Sequence, residues 1–267
     1  MISVSILGAA GSMGHCLLRA ARAFEDIRIA SAIERGDHPA LGQDAGTQAG
    51  LPPLGVPLSD FTTAAASDVM IDFSFHAAVT ANVTHAIATK QGYVLGTTGL
   101  TPEERETVLA AAMEIPVVWS PNMSLGINVL FDLVRRAAAA LDDGYDIEIV
   151  EMHHRLKRDA PSGTALGLAE ALAAGRGVDL KEVACYGREG MPGERPRGEI
   201  GIHALRGGAV VGDHTVMFVA DEERIELTHR ANSREAFATG ALRAALWLQG
   251  RAPGIYTMRH VLGFESV

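Results

Sequence analysis

A chain of 267 residues has room for about two domains of ~150 residues each and can bury a sizeable core without crosslinks. Its formal charge of −9 comes with no basic stripe and no RNA-reading aromatic motif, which argues against a nucleic-acid partner, and its apolar runs stop short of the ~20 residues a membrane span needs. Cys16 and Cys185 have neither CxxC nor metal-ligand spacing, so reduced packing thiols in a cytoplasmic protein are expected and a metal site is not.

The N-terminus enters strand-like sequence at once, with no basic segment ahead of an apolar one, so no signal peptide is expected. From Ile2 to about Asn122, short runs rich in Val and Ile alternate with helix-period segments. That pattern predicts an α/β fold, a doubly wound parallel sheet covered by helices on both faces. Strands are expected at Ile2 to Gly8, Ile27 to Glu34, Val69 to Phe73, Tyr93 to Gly96 and Val117 to Ser120, and helices at Met13 to Phe24, Ala77 to Lys90 and Pro102 to Met113. Thr101, Pro102 and Glu104 make a good helix start. Gly36 to Ser67, with its many Gly, Pro and Asp residues, reads as loop with one short strand that the pattern does not place.

A helix over Leu125 to Leu141 leads out of this first domain, and the pattern then changes. Asp146 to Met152, Ile200 to Leu205, Ala209 to Gly212, His214 to Ala220 and Arg224 to His229 read as strands joined by tight turns such as Arg206-Gly207-Gly208. They predict a second, α+β domain with a mixed or antiparallel sheet and one helix near Thr164 to Ala174. Gly187 to Gly198 reads as a mobile loop. The last apolar helix, Ser233 to Gln249, is expected to return to the first domain. The boundaries are therefore set at 1–124, completed by 235–267, and 125–234.

Two stretches carry chemistry. The turn Gly8-Ala9-Ala10-Gly11-Ser12-Met13-Gly14 follows a buried strand and opens a helix. Glycines there permit the tight turn, the approach of backbone N–H groups to a pyrophosphate, and close helix-to-strand packing. Glu34 ends the second strand, about the ~20 residues downstream where a ribose-binding carboxylate is expected. Gly96-Thr97-Thr98-Gly99 and Ser120-Pro121-Asn122-Met123 stand at the carboxyl ends of other strands, where ligands of open α/β sheets bind; each reads equally well as a plain loop.

The other stretch is Glu148 to Thr164. Period-2 alternation, if it persists beyond the strand expected to end at Met152, puts His153 and His154 on opposite faces, so that one of them faces a given pocket. Beyond them, Pro161 and Ser162 set up a helix start, with Ser162 a natural N-cap. A helix N-terminus beside Lys157 makes a receptor for carboxylates, and a nearby His supplies a proton near neutral pH. The parts suit reduction of an anionic imine or carbonyl.

These stretches, together with Glu34-Arg35, Asp44-Ala45-Gly46, Asn122 with Ser124 to Val129, Gly212-Asp213-His214-Thr215 and Ala244 to Leu248, resemble the 4-hydroxy-tetrahydrodipicolinate reductase (dihydrodipicolinate reductase) family over nearly the whole chain. The run E-x-H-H-R-x-K-x-D-A-P-S-G-T carries most of the resemblance. It implies a Rossmann-type N-terminal domain bearing NADH or NADPH, a second domain bearing a cyclic dicarboxylate, a cytoplasmic homotetramer built through the second sheet, and no metal. The activity implied is NAD(P)H-dependent reduction of 4-hydroxy-tetrahydrodipicolinate in the diaminopimelate and lysine pathway.

By the same resemblance His153 is the acid/base and Lys157 the proton donor, while His154, Ser162, Gly163 and Thr164 bind substrate carboxylates. Cofactor contacts fall on Gly8, Ala9, Ala10, Gly11, Ser12, Met13, Glu34, Arg35, Gly96, Thr97, Thr98, Ser120, Pro121, Asn122 and Met123, with Arg234 near the nicotinamide. Many members carry Arg in place of Ser12 and an aromatic in place of Met123, so acceptance of both dinucleotides is expected, with NADH equal to or better than NADPH.

Other classes fit less well. Tyr-Lys dehydrogenases need a Lys four residues after a Tyr, and Tyr93, Tyr145, Tyr186 and Tyr256 all lack one. A second rival is another two-domain NAD(P)-dependent dehydrogenase of a small anionic substrate, such as an amino-acid or aldehyde dehydrogenase; its aldehyde-oxidising form needs a catalytic Cys, and neither Cys lies in the basic loop. A non-enzymatic NAD(H) sensor needs no proton donor beside an anion site.

Overall fold

The computed structural model describes residues 1–264. In chain order the first elements are β1 (Ile2–Leu7), α1 (Ser12–Ala21), β2 (Ile27–Ile33), α2 (Ala45–Gln48), β3 (Leu58–Ser59), β4 (Val69–Asp72), α3 (His76–Ala88), β5 (Gly92–Leu95), α4 (Pro102–Ala111) and β6 (Pro116–Trp119). There follow α5 (Leu125–Ala140), β7 (Asp146–His153), α6 (Gly163–Arg176), α7 (Leu180–Val183), β8 (Ala184–Tyr186), β9 (Ile200–Arg206), β10 (Gly212–Val219) and β11 (Arg224–Ala231), then α8 (Glu235–Leu248), β12 (Gly254–Tyr256) and α9 (Met258–Val261). The chain divides into two compact units, Met1–Leu125 with the segment from Arg234 onward, and Gly126–Ser233.

In the first unit, seven strands among the described residues form one parallel sheet in the order β12-β6-β5-β4-β1-β2-β3. β4 and β5 are buried at every position, as strands covered on both faces must be. α4 starts as expected: Thr101 Oγ1 accepts the Glu104 N–H at 3.2 Å and the Glu104 carboxylate accepts the Thr101 N–H at 2.8 Å. α8 lays its small buried face (Ala238, Ala241, Ala244, Ala245) into the core formed by β1, β4 and α1. A Cβ on Gly240 would stand 1.7 Å from the Met123 carbonyl oxygen, so that contact is flush.

Every expected strand of this unit ends one residue early. Gly8, Glu34, Phe73, Gly96 and Ser120 each lie just past the last ladder residue; there the backbone leaves the sheet and turns along its carboxyl edge. β12 and α9, beyond the last expected helix, were not foreseen; β12 lengthens the sheet beside β6, and its three residues are too few to show a period.

In the second unit, five strands among the described residues run β11-β10-β7-β9-β8, with β7, β9 and β8 mutually parallel and β10 antiparallel to β7 and β11. The sheet is mixed, but Arg206-Gly207-Gly208 is not a hairpin. β7 lies between β9 and β10, so residues 207–211 pass over its end, where the Gly207 N–H donates to the His153 carbonyl (2.9 Å) and the Arg155 N–H to that of Gly208 (3.3 Å). The strands expected at Ala209 to Gly212 and His214 to Ala220 are accordingly one strand, β10, preceded by loop.

α6 packs Ala165, Leu168, Ala169 and Leu172 on one face of this sheet, against Ile147, Ile149, Ile200, Ile202, Val216 and Phe218. The loop Gly187 to Gly198 is tied to the other face, where Arg195 donates to Asp146 and Glu148 and to the carbonyls of Ile147 and Glu199, and Arg188 donates to Glu148.

Candidate active site

The glycine turn of the first unit is shaped by close approach. Gly8 has φ +72°, a conformation that strains an L side chain, and a Cβ there would stand 2.8 Å from the Phe73 carbonyl oxygen. A Cβ on Gly14 would stand 2.4 Å from the Gly8 carbonyl oxygen, so α1 packs directly on the turn. The N-cap Gly11 offers no side-chain acceptor to α1, which leaves the first-turn N–H groups and the positive end of the helix dipole suited to an anion. Arg234 brings its Nη1 to 3.4 Å from Ser12 Oγ, so its guanidinium sits at the start of α1.

Gly8, Ala10, Gly11, Glu34 and Arg35 line a cleft of about 930 Å³, a volume within the range of small-molecule sites. Ala9 is buried beneath it. The Glu34 carboxylate accepts the N–H of Ala10 and that of Arg35, both at 3.2 Å, and an ionised carboxylate keeps further lone pairs for ribose hydroxyls. Arg35 is paired with Asp37 at 3.2 Å, and both are largely exposed.

Asp60, in the loop-rich stretch between Gly36 and Ser67, also lines the cleft. Its Oδ1 accepts from the Thr62 N–H (2.9 Å) and from the hydroxyls of Thr62 and Thr63, and its Oδ2 stands 3.4 Å from where a Gly36 Cβ would be. A carboxylate oxygen therefore lines the same cleft as Arg35, beside its chain neighbour Gly36.

The Gly96 to Gly99 loop is held from below by Asp72, buried at the end of β4. Asp72 accepts from the Ser74 N–H (2.8 Å) and hydroxyl (2.6 Å), Asn82 Nδ2 (2.8 Å), Thr97 Oγ1 (2.8 Å) and the Tyr93 hydroxyl. Thr97 is thus committed to Asp72, while Thr98 is exposed. In the Ser120 to Met123 loop, Ser120 Oγ accepts the Met258 N–H at 2.7 Å and Met123 is part of the core. Of the other two residues in this loop, Pro121 is exposed and Asn122 Oδ1 accepts the Ser124 N–H at 2.8 Å.

In the second unit the burial of β7 alternates strictly, and Ile147, Ile149, Glu151 and His153 share the inner face. Glu151 is fully buried and accepts from His153 Nδ1 (2.5 Å), from Arg206 Nη1 and Nη2 (2.9 Å each) and from the Ser162 N–H (3.1 Å). Breaking such a buried pair by removing one partner costs ~3–5 kcal/mol. Arg206 Nη2 also donates to the Asp159 carbonyl at 2.7 Å, and the Asp159 carboxylate is 3.0 Å from Lys157 Nζ.

Ser162 caps α6 as its type predicts, accepting the Ala165 N–H at 3.2 Å, and its hydroxyl lies 3.2 Å from His214 Nε2. The His214 ring meets that of His153 edge-on at 5.1 Å. His154 lies one residue past the end of β7, and its Nδ1, like that of His214, is shielded from solvent without a hydrogen-bond partner among the described residues.

Burial lowers the His153 pKa below the ordinary imidazole value, with Glu151 pulling it back up and Lys157 and Arg206 pushing it down. Burial, then the neighbouring His153, push His214 down to about 3, so it is neutral at physiological pH. Burial opposes ionisation of Glu151, but Arg206, His153 and the Ser162 N–H outweigh it and keep its pKa below the usual carboxylate range.

His153, Lys157, Ser162 and the start of α6 thus lie together in one unit. Glu151, Arg206 and His214 are functional candidates to which the sequence reading gave no role. Glu151 could have been found, since it stands two residues before His153 and so on the same strand face. Among the described residues, no group of three or more His, Cys, Asp or Glu side chains could hold a metal ion.

A family model described as dihydrodipicolinate reductase, N-terminus, matches residues 2–123, and one described as dihydrodipicolinate reductase, C-terminus, matches residues 126–262. The chain is 51% identical over 268 residues to 4-hydroxy-tetrahydrodipicolinate reductase of Anaeromyxobacter sp. (strain Fw109-5), covering 100% of this chain and 99% of the relative. To that of Rhodopseudomonas palustris (strain BisB18) it is 52% identical over 266 residues, covering 98% and 97%. Its fold matches a dipicolinate-bound dihydrodipicolinate reductase from Paenisporosarcina sp. TG-14, with TM-score 0.74 at 24% identity over 96% of this chain and 97% of that one.

Proposed function

Since the chain belongs to the dihydrodipicolinate reductase family, we infer that it reduces 4-hydroxy-tetrahydrodipicolinate to tetrahydrodipicolinate, with loss of water, in the diaminopimelate and lysine pathway. The observation that carries the site assignment is the convergence of a buried imidazole, a lysine and a capped helix start around Glu151.

The glycine turn, Glu34 and Arg35 fit a dinucleotide: the Gly8, Gly11 and Gly14 backbone leaves the close approach a pyrophosphate needs, the start of α1 offers N–H groups, and Glu34 faces the turn. Bound there, NADH or NADPH supplies a hydride to C4 of the substrate. The second unit binds and protonates. Lys157, His154 and the start of α6 at Ser162, Gly163 and Thr164 take the two carboxylates.

Loss of the 4-hydroxyl needs a proton on the departing oxygen and the removal of one from the neighbouring ring carbon. Reduction then leaves an enamine-like product that takes up another proton. Lys157 holds a transferable proton on Nζ, and His153, largely neutral near pH 7, takes up and releases one at Nε2. His214, neutral throughout, contributes hydrogen bonding to Ser162.

The chain is expected to act in the cytoplasm; among the described residues no helix is long and apolar enough to cross a membrane. Its expected assembly is a homotetramer through the outer face of the second sheet, where Leu205 is 48% exposed and Val150, Met152 and Met217 are half-buried. Exposed apolar side chains of that kind, set beside the ion-paired Asp146 and Glu148 of the same face, ask for a partner surface.

Pyridine-2,6-dicarboxylate, a planar mimic of the substrate, should inhibit competitively against substrate and more strongly than pyridine-2-carboxylate. Equal potency of the two in initial-rate measurements would contradict binding of both carboxylates.

A further inference from the structure

Resting on the reductase function proposed above, we infer that Glu151 is a positioning residue for the reaction: its one carboxylate fixes which nitrogen of His153 exchanges the proton and at the same time anchors the start of α6 that receives substrate. An ionised carboxylate only accepts hydrogen bonds. His153 Nδ1, 2.5 Å from Glu151 Oε2, must therefore carry its hydrogen whether the ring is neutral or charged. The exchanging proton is left to Nε2, the atom that faces Gly212, where a Cβ would stand 3.0 Å away.

Arg206 makes this arrangement durable. It grips both Glu151 oxygens in a bidentate pair at 2.9 Å, which keeps the carboxylate ionised and unable to donate back to His153. The remaining acceptor capacity of Oε1 goes to the Ser162 N–H. Arg206 also holds the Asp159 carbonyl, in the residue whose side chain pairs with Lys157. Imidazole, helix start and lysine loop thus share a single anchor, brought together by the register that sets His153 opposite Arg206.

Four groups face the His153 ring: Glu151 from β7, Arg206 from β9, His214 from β10 and Lys157 from the loop after β7. Glu151 is the anion among them, so its removal leaves burial and cations acting alone, and the His153 titration moves to lower pH. An ion pair that braces the fold without touching the His153 ring leaves its tautomer and hydrogen bonding unchanged.

The test reads His153 directly by long-range nitrogen-15 NMR of the imidazoles in the full-length wild-type enzyme. The expected neutral tautomer has hydrogen on Nδ1 and a bare Nε2; hydrogen on Nε2 would overturn the proposal, and this measurement needs no variant. In Glu151→Gln, the limb of the kcat/KM pH profile that coincides with His153 titration should move to lower pH, each unit of movement being about tenfold in protonated fraction. NADH affinity in the first unit should be unchanged. A uniform loss of activity with an unmoved limb, in a variant that still binds NADH, would overturn the role of Glu151. Absence of any wild-type reduction would instead contradict the reductase reading, leaving the tautomer result to stand or fall alone.

Discussion

Lys157→Ala and His153→Ala are each expected to lower turnover by ~10²-fold or more, the range that positioned proton transfer contributes. Both side chains belong to the second unit, whereas the glycine turn, Glu34 and Arg35 belong to the first. Dinucleotide affinity, measured by calorimetry on the same preparations, should therefore stay close to wild type, and the loss should appear mainly in kcat. The two losses differ in origin. The Lys157 ammonium pairs with Asp159 rather than with Glu151, so Lys157→Ala leaves the Glu151 anchor intact, while His153→Ala removes one of its donors. Near wild-type turnover in either variant would remove that residue from the proposed proton path.

The second expected result is a dinucleotide preference of NADH equal to or above NADPH. Glu34 favours an unphosphorylated ribose and repels a 2′-phosphate. Arg35 pulls the other way, because a guanidinium can form a bidentate contact with phosphate. The structure weakens that pull: Arg35 is already paired with Asp37, and the Asp60 carboxylate stands beside Gly36 in the same cleft.

Ser12 can add only a neutral hydrogen bond. Losing a charge-assisted contact costs ~1.5–3 kcal/mol, roughly ten- to a hundredfold in affinity. Ser12→Arg should shift the ratio of catalytic efficiencies toward NADPH by about tenfold. Asp60→Asn should move the ratio the same way and Arg35→Ala toward NADH. Steady-state kinetics with both dinucleotides at one ionic strength checks this, since phosphate contacts are screened by salt. Arg234, at the start of α1 beside Ser12, is the cation to examine if wild type prefers NADPH by more than about a hundredfold.

Local chemistry made much of this legible. Leu7 to Gly14 announces a strand, a tight turn and a close-packed helix through its glycines, and Thr101 and Ser162 are caps by residue type. The alternation of β7 sets Glu151 and His153 on one face as the period-2 pattern requires, whereas His154 falls one residue past the end of the strand. Parallel strands also reveal their ends poorly. Gly8, Phe73, Gly96 and Ser120 continue the apolar or small character of the strands they follow, while the ladder stops one residue earlier, as it also does before Glu34.

What stayed hidden depends on long-range register. Arg206 meets Glu151 only because β9 runs parallel to β7 and sets Arg206 opposite His153. A turn such as Arg206-Gly207-Gly208 suggests a hairpin, and nothing local says that β7 occupies the place beside β9 that the hairpin partner would take. Asp72 is similar: an acidic residue closing an apolar strand reads as solvated until Ser74, Asn82, Tyr93 and Thr97, from separate loops and elements, converge on it. Asp60 lies in a Gly- and Pro-rich stretch with no period at all, and only the folded loop shows that it lines the cleft.

The central claim is the reaction itself, and dihydronicotinamide oxidation followed in the presence of freshly made substrate, generated from aspartate semialdehyde and pyruvate by the upstream synthase, tests it most directly. The account predicts oxidation that depends on both synthase substrates, proceeds with NADH at least as well as with NADPH, and falls by ~10²-fold or more in Lys157→Ala. Tight dinucleotide binding without substrate-dependent oxidation would contradict it.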